Sequence, residues 1–363
     1  MLFPLFFLLL LGGTIYVSWR IWWILPFPVF GKWIAVALLV GCLSGLVLNF
    51  VIGLDDKPLP VAAAMYGIGN SSPFILLYLA TLFLAFDLGR LVHLVPDKFL
   101  LDNWSGTLTV FAILFCTFLY GSIHYRHKVR VPLDLTAEKP LVHPLRIVMV
   151  SDLHLGYHNR AKEFRRWVDL LNAEHPDLVL IGGDIIDGSI RAVRAQKMEE
   201  EFRRLNAPVY ACLGNHEYYS GKAESVKFYE DAGLHLLMDA GAAFVCKGDT
   251  LVLIGRDDRS NPNRKTLAQL KAEAPDGTFT LLLDHQPDHL EEAQQAGIDF
   301  QFSGHTHHGQ VWPASWITNA IFENAFGPYR KGNTRYYVSS GLGIWGGKFR
   351  IGTRSEYLVV TLK

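Results

Sequence analysis

Leu178-Val-Leu-Ile-Gly-Gly-Asp184-Ile-Ile-Asp187 sets four consecutive apolar residues, a glycine pair and two carboxylates within ten positions. A short unbroken apolar run bounded by glycine reads as a strand buried on both faces, so the carboxylates stand at a strand end. Four further segments repeat this arrangement. Arg146–Val150 precedes Asp152-Leu-His154, Val209–Leu213 precedes Gly214-Asn215-His216-Glu217, Phe279–Leu283 precedes Asp284-His285, and Phe300–Phe302 precedes Gly304-His305-Thr-His307. Helical stretches are expected at Ala161–Ala173, Ala192–Leu205, Lys222–Ala232, Lys265–Ala274 and Asp288–Gln295, with late strands at Leu251–Ile254, Tyr336–Ser339 and Tyr357–Leu362. Alternation of strand and helix predicts an α/β sandwich, and loops at strand ends can converge on a site without disturbing the core.

The donors in these loops are carboxylates, imidazoles and one carboxamide, with no thiolate among them. A mixed nitrogen and oxygen set suits Mn, Fe, Zn, Co or Ni better than Ca or a soft metal. Taken singly, each cluster reads as well as a turn or a helix cap, since Gly, Asn and Asp all favour turns. Five in order, each after a strand signal, point instead to a hydrolytic site built on two metals. Two cations about 3.5–4 Å apart lower the pKa of a bridging water and neutralise charge developing on a phosphoryl group. As an imidazole, His216 suits transition-state stabilisation or protonation of a leaving oxygen. Asp187 and Glu217 are expected to orient the metal-binding side chains from behind, or else to be surface turn carboxylates.

From Leu145 onward the chain resembles the calcineurin-like metallophosphoesterases. Within them it is most similar to bacterial membrane-associated phosphohydrolases, which include phosphodiesterase-like proteins and one type of UDP-diacylglucosamine hydrolase. The resemblance implies a four-layer α-β-β-α sandwich. It also implies that Asp152, His154, Asp184 and His307 hold one divalent metal and that Asp184, Asn215, His285 and His305 hold the other, Asp184 bridging and His216 facing the phosphate. One departure is that His308 stands in the run His307-His308-Gly309-Gln310, where this branch is expected to have a glycine pair. His308 either adds a phosphate or metal contact or, as expected here, points to solvent or stands behind the ligands.

Residues 1–124 are different material, with five Lys or Arg and five Asp or Glu. Leu2–Ile24, Trp33–Leu54, Phe74–Val95 and Leu108–Ile123, the last extendable to Trp104 and Tyr125, approach the roughly 20 apolar residues that a bilayer-spanning helix needs. The first stretch lacks the basic start and small-residue cleavage site of a signal peptide, so about four transmembrane helices are expected. Trp19, Trp22, Trp23, Trp33 and Trp104 lie near the span ends, where indoles favour the interface. Asp87 and Arg90, three residues apart, can neutralise each other on one helical face, as a plain charge pair or as part of a relay. The chain thus divides into a transmembrane region at 1–125, a Pro-containing linker at 126–144 and the sandwich at 145–363.

Positive charge scarcely decides orientation. Lys57, Arg126, Lys128 and Arg130 oppose Arg20, Lys32, Arg90 and Lys98, and the uncharged start before Arg20 inclines the domain to the extracytoplasmic face of a bacterial inner membrane. Half of the residues are hydrophobic, 13% are aromatic and the formal net charge is zero. Nucleic acid is therefore a poor substrate, because backbone binding leaves a basic excess. The four cysteines define no disulfide framework. Trp312, Trp316, Ile317, Phe322, Phe326 and Tyr329 follow the last histidine pair as a lid or acyl-chain groove, or as packing on the sandwich edge, and Arg330 and Lys331 are candidates to meet a second phosphate or a lipid head group. The expected activity is hydrolysis of a phosphoester, preferably a phosphodiester in a lipid-linked substrate, by in-line attack of a metal-activated hydroxide. The alternatives are a UDP-acyl-sugar pyrophosphatase and, in another class, a membrane scaffold or transporter with a metal-binding regulatory domain.

Overall fold

The computed structural model describes residues 2–138, 141–273 and 277–363; Pro140, expected in the linker, and Ala274, the expected end of a helix, lie outside the described residues. The chain divides into two compact units, Met1–Ile123 with Gly346–Phe349, and His124–Trp345 with Arg350–Lys363.

The first unit is built on α1 (Leu2–Ile24), α2 (Val29–Ile52), α3 (Leu59–Leu91) and the body of α4 (Trp104–Arg126). All four are long and apolar enough to cross a membrane. The helix α3 starts well before the expected Phe74. Asn70-Ser-Ser-Pro73 reads as a break in sequence, yet Asn70 and Ser72 are buried inside the helical unit. Pro73 has no N–H to offer the carbonyl of Gly69, and the Ser72 hydroxyl bonds that carbonyl instead at 2.7 Å, which removes the usual objection to proline within a span. Small residues let α2 and α3 approach closely: a Cβ on Gly69 would lie 2.9 Å from the backbone of Gly45. Asp87 is neutralised across helices as well as along one. Arg20 of α1 forms an ion pair with it, the Tyr16 hydroxyl donates to it at 2.6 Å, and Arg90 stands 3.7 Å away while reaching Asp97 at 3.3 Å.

The second unit begins with β1 (Lys128–Leu135), β2 (Leu145–Val150), α5 (Ala161–Asn172), β3 (Leu178–Ile181), α6 (Ile190–Arg194), α7 (Met198–Phe202), β4 (Val209–Ala211), α8 (Asn215–Tyr219), α9 (Lys222–Asp231) and β5 (His235–Leu236). Its second half holds β6 (Ala240–Cys246), β7 (Asp249–Gly255), α10 (Leu267–Ala272), β8 (Thr280–Leu283), α11 (Leu290–Gln295), β9 (Phe300–Ser303), α12 (Ala314–Ile321), β10 (Gly327–Lys331), β11 (Thr334–Val338) and β12 (Ser355–Leu362). The strands form two six-stranded mixed sheets, ordered β1-β12-β2-β3-β4-β5 and β10-β11-β9-β8-β7-β6.

Period-two alternation assigns each strand face to a layer. Ile147, Met149, Leu178 and Leu180 meet Leu251, Leu253, Leu281, Leu283, Phe300 and Phe302 between the sheets. On the far faces, Val148, Val150, Val179 and Ile181 pack with Phe164, Trp167 and Leu171 of α5, and Ile254 and Leu282 pack with residues of α10 and α11. The result is the expected α-β-β-α sandwich. Two expectations are corrected. Residues 128–135 of the expected linker are β1, paired in parallel register with β12 from Lys128↔Ser355 to Leu135↔Leu362; Pro132 is tolerated because β1 is an edge strand. The single helix expected over Ala192–Leu205 is two short ones, interrupted where Lys197 adopts a left-handed φ of 52°.

Candidate metal centre

The loops after β2, β3, β4, β8 and β9 converge at one edge of the two sheets. Their backbones are held in uncommon conformations: Asp152, His154, Asp184, His305 and His307 all have φ between 45° and 69°. Asp and His visit this region more readily than most residues, and such clusters of strain mark sites whose surroundings over-determine the backbone. Glycine is needed where loops touch. A Cβ at Gly214 would lie 2.2 Å from Oδ1 of Asp184, and one at Gly304 would lie 2.3 Å from Oδ2 of Asp152.

Two groups of donors result, linked by a third that shares a residue with each. Asp152, His154 and His307 bring ligand atoms within 4.8 Å of one another, as do Asp184, His285 and His305; His154, Asp184 and His216 form a third such trio. Nε2 of His154 lies 3.1 Å from Nε2 of His307 and 3.7 Å from Oδ2 of Asp184, and His307 Nε2 lies 3.4 Å from Oδ1 of Asp152. On the other side Nε2 of His285 is 3.1 Å from the same Oδ2 of Asp184, and Oδ1 of Asn215 is 2.8 Å from Nδ1 of His305. The seven residues expected to hold metal are thus brought together, with Asp184 between the two groups.

The residues present fit a pair of cations. His285 Nδ1 is committed to the carbonyl of Gly182 at 2.7 Å, which leaves Nε2 without a hydrogen-bond partner, buried, and aimed at Asp184. Two facing imidazole Nε2 atoms at 3.1 Å are unfavourable when both are neutral acceptors, and become favourable when both point their lone pairs at a cation. Burial and the charge of His285 hold His305 down at about 4, and burial beside His154 and Arg350 puts His307 well below the ordinary value, whereas Asp152 and Asp184 outweigh burial and hold His154 and His285 up. Burial alone would raise Asp152 and Asp184; the neighbouring histidines outweigh it and hold both carboxyls below the usual range.

His216 shares the third trio with His154 and Asp184 and is partly exposed. Its Nδ1 is 3.1 Å from Oδ1 of Asp187, its ring meets His154 edge-on at 4.5 Å, and Tyr219 flanks it at 5.4 Å. Asp187 also lies 3.6 Å from Nδ1 of His154. Glu217 orients the site through backbone: it accepts from the N–H groups of Gly214, Asp184 and Ile186 at 2.7, 3.1 and 2.9 Å. Burial and the charge of Asp184 push Glu217 up to about 7.

Asp284 turns away from the centre to Arg256 and Arg264 at 3.4 and 3.6 Å, and burial raises it to about 6 despite them. His308, expected in solvent or behind the ligands, stacks half-buried on Phe326 with ring centroids 4.4 Å apart and planes 10° from parallel. The aromatic segment is divided in its roles. Phe322 lies edge-on to His305 at 6.2 Å, Tyr329 packs on Tyr336, and Trp312 and Trp316 are exposed. Lys331, expected to meet a phosphate, is paired with Glu323 at 3.0 Å, and Arg330 donates to the carbonyl of Gly332.

Two residues escape the sequence reading. Asn159, fully buried, donates through Nδ2 to the carbonyls of Leu153, His154 and Ile344 at 3.0, 3.0 and 2.9 Å, and accepts from the Tyr125 hydroxyl at 2.9 Å. Arg350, also fully buried, donates to the carbonyl of His307 at 2.7 Å, to that of Ser340 and to that of Gly343 at 3.3 Å. Each clamps the backbone under a pair of donors.

Residues 145–309 match the family model described as calcineurin-like phosphoesterase. An uncharacterized metallophosphoesterase of Campylobacter jejuni is 29% identical over 253 residues, 68% of this chain and 66% of that one. A transmembrane protein with metallophosphoesterase domain from Danio rerio is 31% identical over 256 residues, 65% of this chain and 56% of that one. The chain thus spans less than two thirds of the length of either relative. Among solved structures, the NAD nucleotidase of Haemophilus influenzae is 17% identical, covering 54% of this chain and 44% of its own, with a TM-score of 0.39.

Proposed function

Because the chain belongs, through residues 145–309, to the calcineurin-like phosphoesterases, we propose that it is a membrane-anchored, dinuclear-metal-dependent phosphohydrolase. The observation that carries this reading is that Asp184 belongs to two donor trios at once, one with His285 and His305 and one with His154 and His216. In the proposal Asp152, His154, Asp184 and His307 hold one divalent ion, and Asp184, Asn215, His285 and His305 hold the other. Such ions, of the Mn, Fe, Zn, Co or Ni type, supply a Lewis acid and activate water at neutral pH.

The chain's own groups do the rest. Asp187, with Oδ1 3.1 Å from Nδ1 of His216, orients that ring so that Nε2 can meet a phosphoryl or leaving-group oxygen. Glu217 and Asn159 fix the peptides that carry Asp184 and His154. Burial of the donors excludes bulk water, which strengthens the interaction between charged groups and phosphate. No side chain in the centre is placed as a covalent nucleophile in this proposal, so inversion at phosphorus is the expected stereochemistry.

The preferred substrate is a phosphodiester linked to lipid. Four helices of membrane-spanning length in the same chain support that choice, as does the apolar segment after His307. The uncharged opening of the first helix before Arg20 supports an extracytoplasmic domain in a bacterial inner membrane, which protease access in intact spheroplasts tests. The deciding experiment gives the detergent-purified, Mn²⁺-loaded protein an aryl phosphodiester, an aryl phosphomonoester, a glycerophospholipid and a UDP-acyl-sugar, with Asp184→Ala as control. Turnover absent from the control establishes the enzyme, and preference for the UDP-acyl-sugar would replace the phosphodiester by a pyrophosphate. No turnover with two ions bound per chain would overturn the reading.

A further inference from the structure

The helix α12 is amphipathic in the wrong sense for a globular domain. At about 100° per residue, Trp316, Ala320, Ile317 and Ile321 occupy an arc of about 140°, while Ser315, Thr318 and Asn319 lie opposite. In a domain surrounded by water the apolar arc should be covered. Here Ser315 is buried, Thr318 is half-buried with its hydroxyl turned back to the Ser315 carbonyl at 3.0 Å and Asn319 is exposed, while Trp316, Ile317 and Ile321 on the apolar arc are 65%, 60% and 53% exposed. Trp312, just before the helix, is 41% exposed and meets Trp316 edge-on at 5.4 Å.

The exposed side chains are concentrated. Of nine exposed large apolar residues among the described residues beyond Ile123, four lie between Trp312 and Ile321. No charged residue occurs from Gly309 to Phe322. The segment is nevertheless well anchored: Val311 bridges to Ile351, Trp312 N–H donates to the Ile351 carbonyl at 2.7 Å, and the Thr306 hydroxyl donates to the Ala325 carbonyl at 2.6 Å. Its far end delivers Phe322 to the ring of His305 at 6.2 Å.

We propose that α12 is an interfacial helix that sinks Trp316, Ile317 and Ile321 into the lipid bilayer and so holds the mouth of the metal centre at head-group depth. A bilayer is the occupant this chain always has within reach. It carries four helices of membrane-spanning length, and the last ends at Arg126, with one residue before β1 begins at Lys128. Tryptophan beside aliphatic residues on one face, with polar residues opposite, is the apolar-face composition that settles at the acyl and head-group boundary. A second copy or another protein would cover the same face, but neither needs tryptophans next to the metal loops. The consequence for the site rests on the phosphohydrolase reading above: a scissile phosphate presented at the membrane surface reaches Phe322 and His305 without leaving the bilayer.

The test uses the full-length protein in phosphatidylcholine vesicles. Brominated phosphatidylcholine should quench a component of the tryptophan emission that disappears in Trp316→Phe, while aqueous acrylamide should leave that component largely unquenched. If acrylamide quenches it and bromolipid does not, the helix lies in water and the proposal fails. If neither quenches it, a protein covers the face, and the proposal fails equally. Insertion is read without catalysis, so its failure is distinct from failure of the phosphohydrolase assignment. For the consequence, the ethyl and hexadecyl esters of p-nitrophenyl phosphate share one leaving group. Trp316→Ser/Ile317→Ser should lower turnover of vesicle-borne hexadecyl ester about tenfold or more and change the ethyl ester less than twofold; equal losses on both would refute delivery from the bilayer.

Discussion

Asn159→Ala should damage stability and metal affinity together, because one amide serves both. The side chain is fully buried and engages three carbonyls and one hydroxyl. Its two amide hydrogens and one oxygen amount to about three hydrogen bonds, each contributing about 1 kcal/mol net, and more where the abandoned partner stays buried. Water entering the small polar void recovers part of this, leaving a loss of about 3–4 kcal/mol. For a domain of this size the melting temperature should fall by about 10 °C. The carbonyls of Leu153 and His154 are also released, so the peptide that aims Asp152 and His154 loses its support, and metal affinity should fall about 10- to 100-fold. Differential scanning fluorimetry in chelator reads the first effect, and Mn²⁺ titration by calorimetry reads the second. Tyr125→Phe is the control: it removes only the hydroxyl that donates to Asn159, costs about 1 kcal/mol and leaves affinity unchanged. A large fall in melting temperature with unaltered Mn²⁺ affinity would refute the positioning of the metal loop by Asn159, and unchanged values of both would refute the clamp.

His216→Gln should lower kcat by about 10²–10³ while two ions per chain remain bound; loss of metal, measured by elemental analysis, would show that His216 is a ligand. Each ion held at 100 times its Kd adds about 2.7 kcal/mol to the folded state, so chelation should lower the domain's melting temperature. Asp184→Ala should abolish that metal-dependent rise, and two tightly bound ions in the variant would refute the bridge. The hydrogen bond from Arg165 holds Glu201 below the ordinary carboxylate value. A depressed folded pKa gives stability that is complete above the unfolded value and is lost as pH falls through the folded one. Glu201→Gln should therefore lower stability at neutral pH and flatten its decline below about pH 4; a parallel acid limb in thermal melts would contradict the assignment.

The five converging loops that carry the candidate metal donors were legible in sequence because two independent signals coincide at each. An apolar run fixes a strand, and its end fixes where the following donor must stand; the glycines at 214 and 304 then record a close approach to Asp184 and Asp152 that no other residue permits. The four helices long and apolar enough to cross a membrane were legible by the same logic of composition over length. Boundaries failed where polarity was satisfied from elsewhere. Ser72 meets the Gly69 carbonyl left bare by Pro73, so an apparent break is a continuous α3. Pro132 sits in β1, an edge strand, so a stretch that resembles a linker completes a sheet.

The residues that hold the metal loops were hidden for a different reason. A metal ligand must belong to one of a few chemical types, and its type is visible in the sequence. The partners of Asn159 and Arg350 are carbonyl oxygens, which every residue supplies, so nothing in the partner's identity reports the bond. The clamps also join segments far apart: Asn159 reaches Ile344 across 185 positions, and Arg350 reaches back to His307 across 43. Such bonds exist only once both sheets are assembled, which makes Asp152, His154 and His307 dependent on the complete sandwich for their aim. Unfolding either sheet locally should therefore release metal before the domain as a whole is lost. Hydrogen exchange at His154 and Gln310, whose amides bond Asp184 and His307, should accelerate in Arg350→Met ahead of exchange in β2 and β3; simultaneous acceleration throughout the sheet would show that Arg350 supports global folding instead.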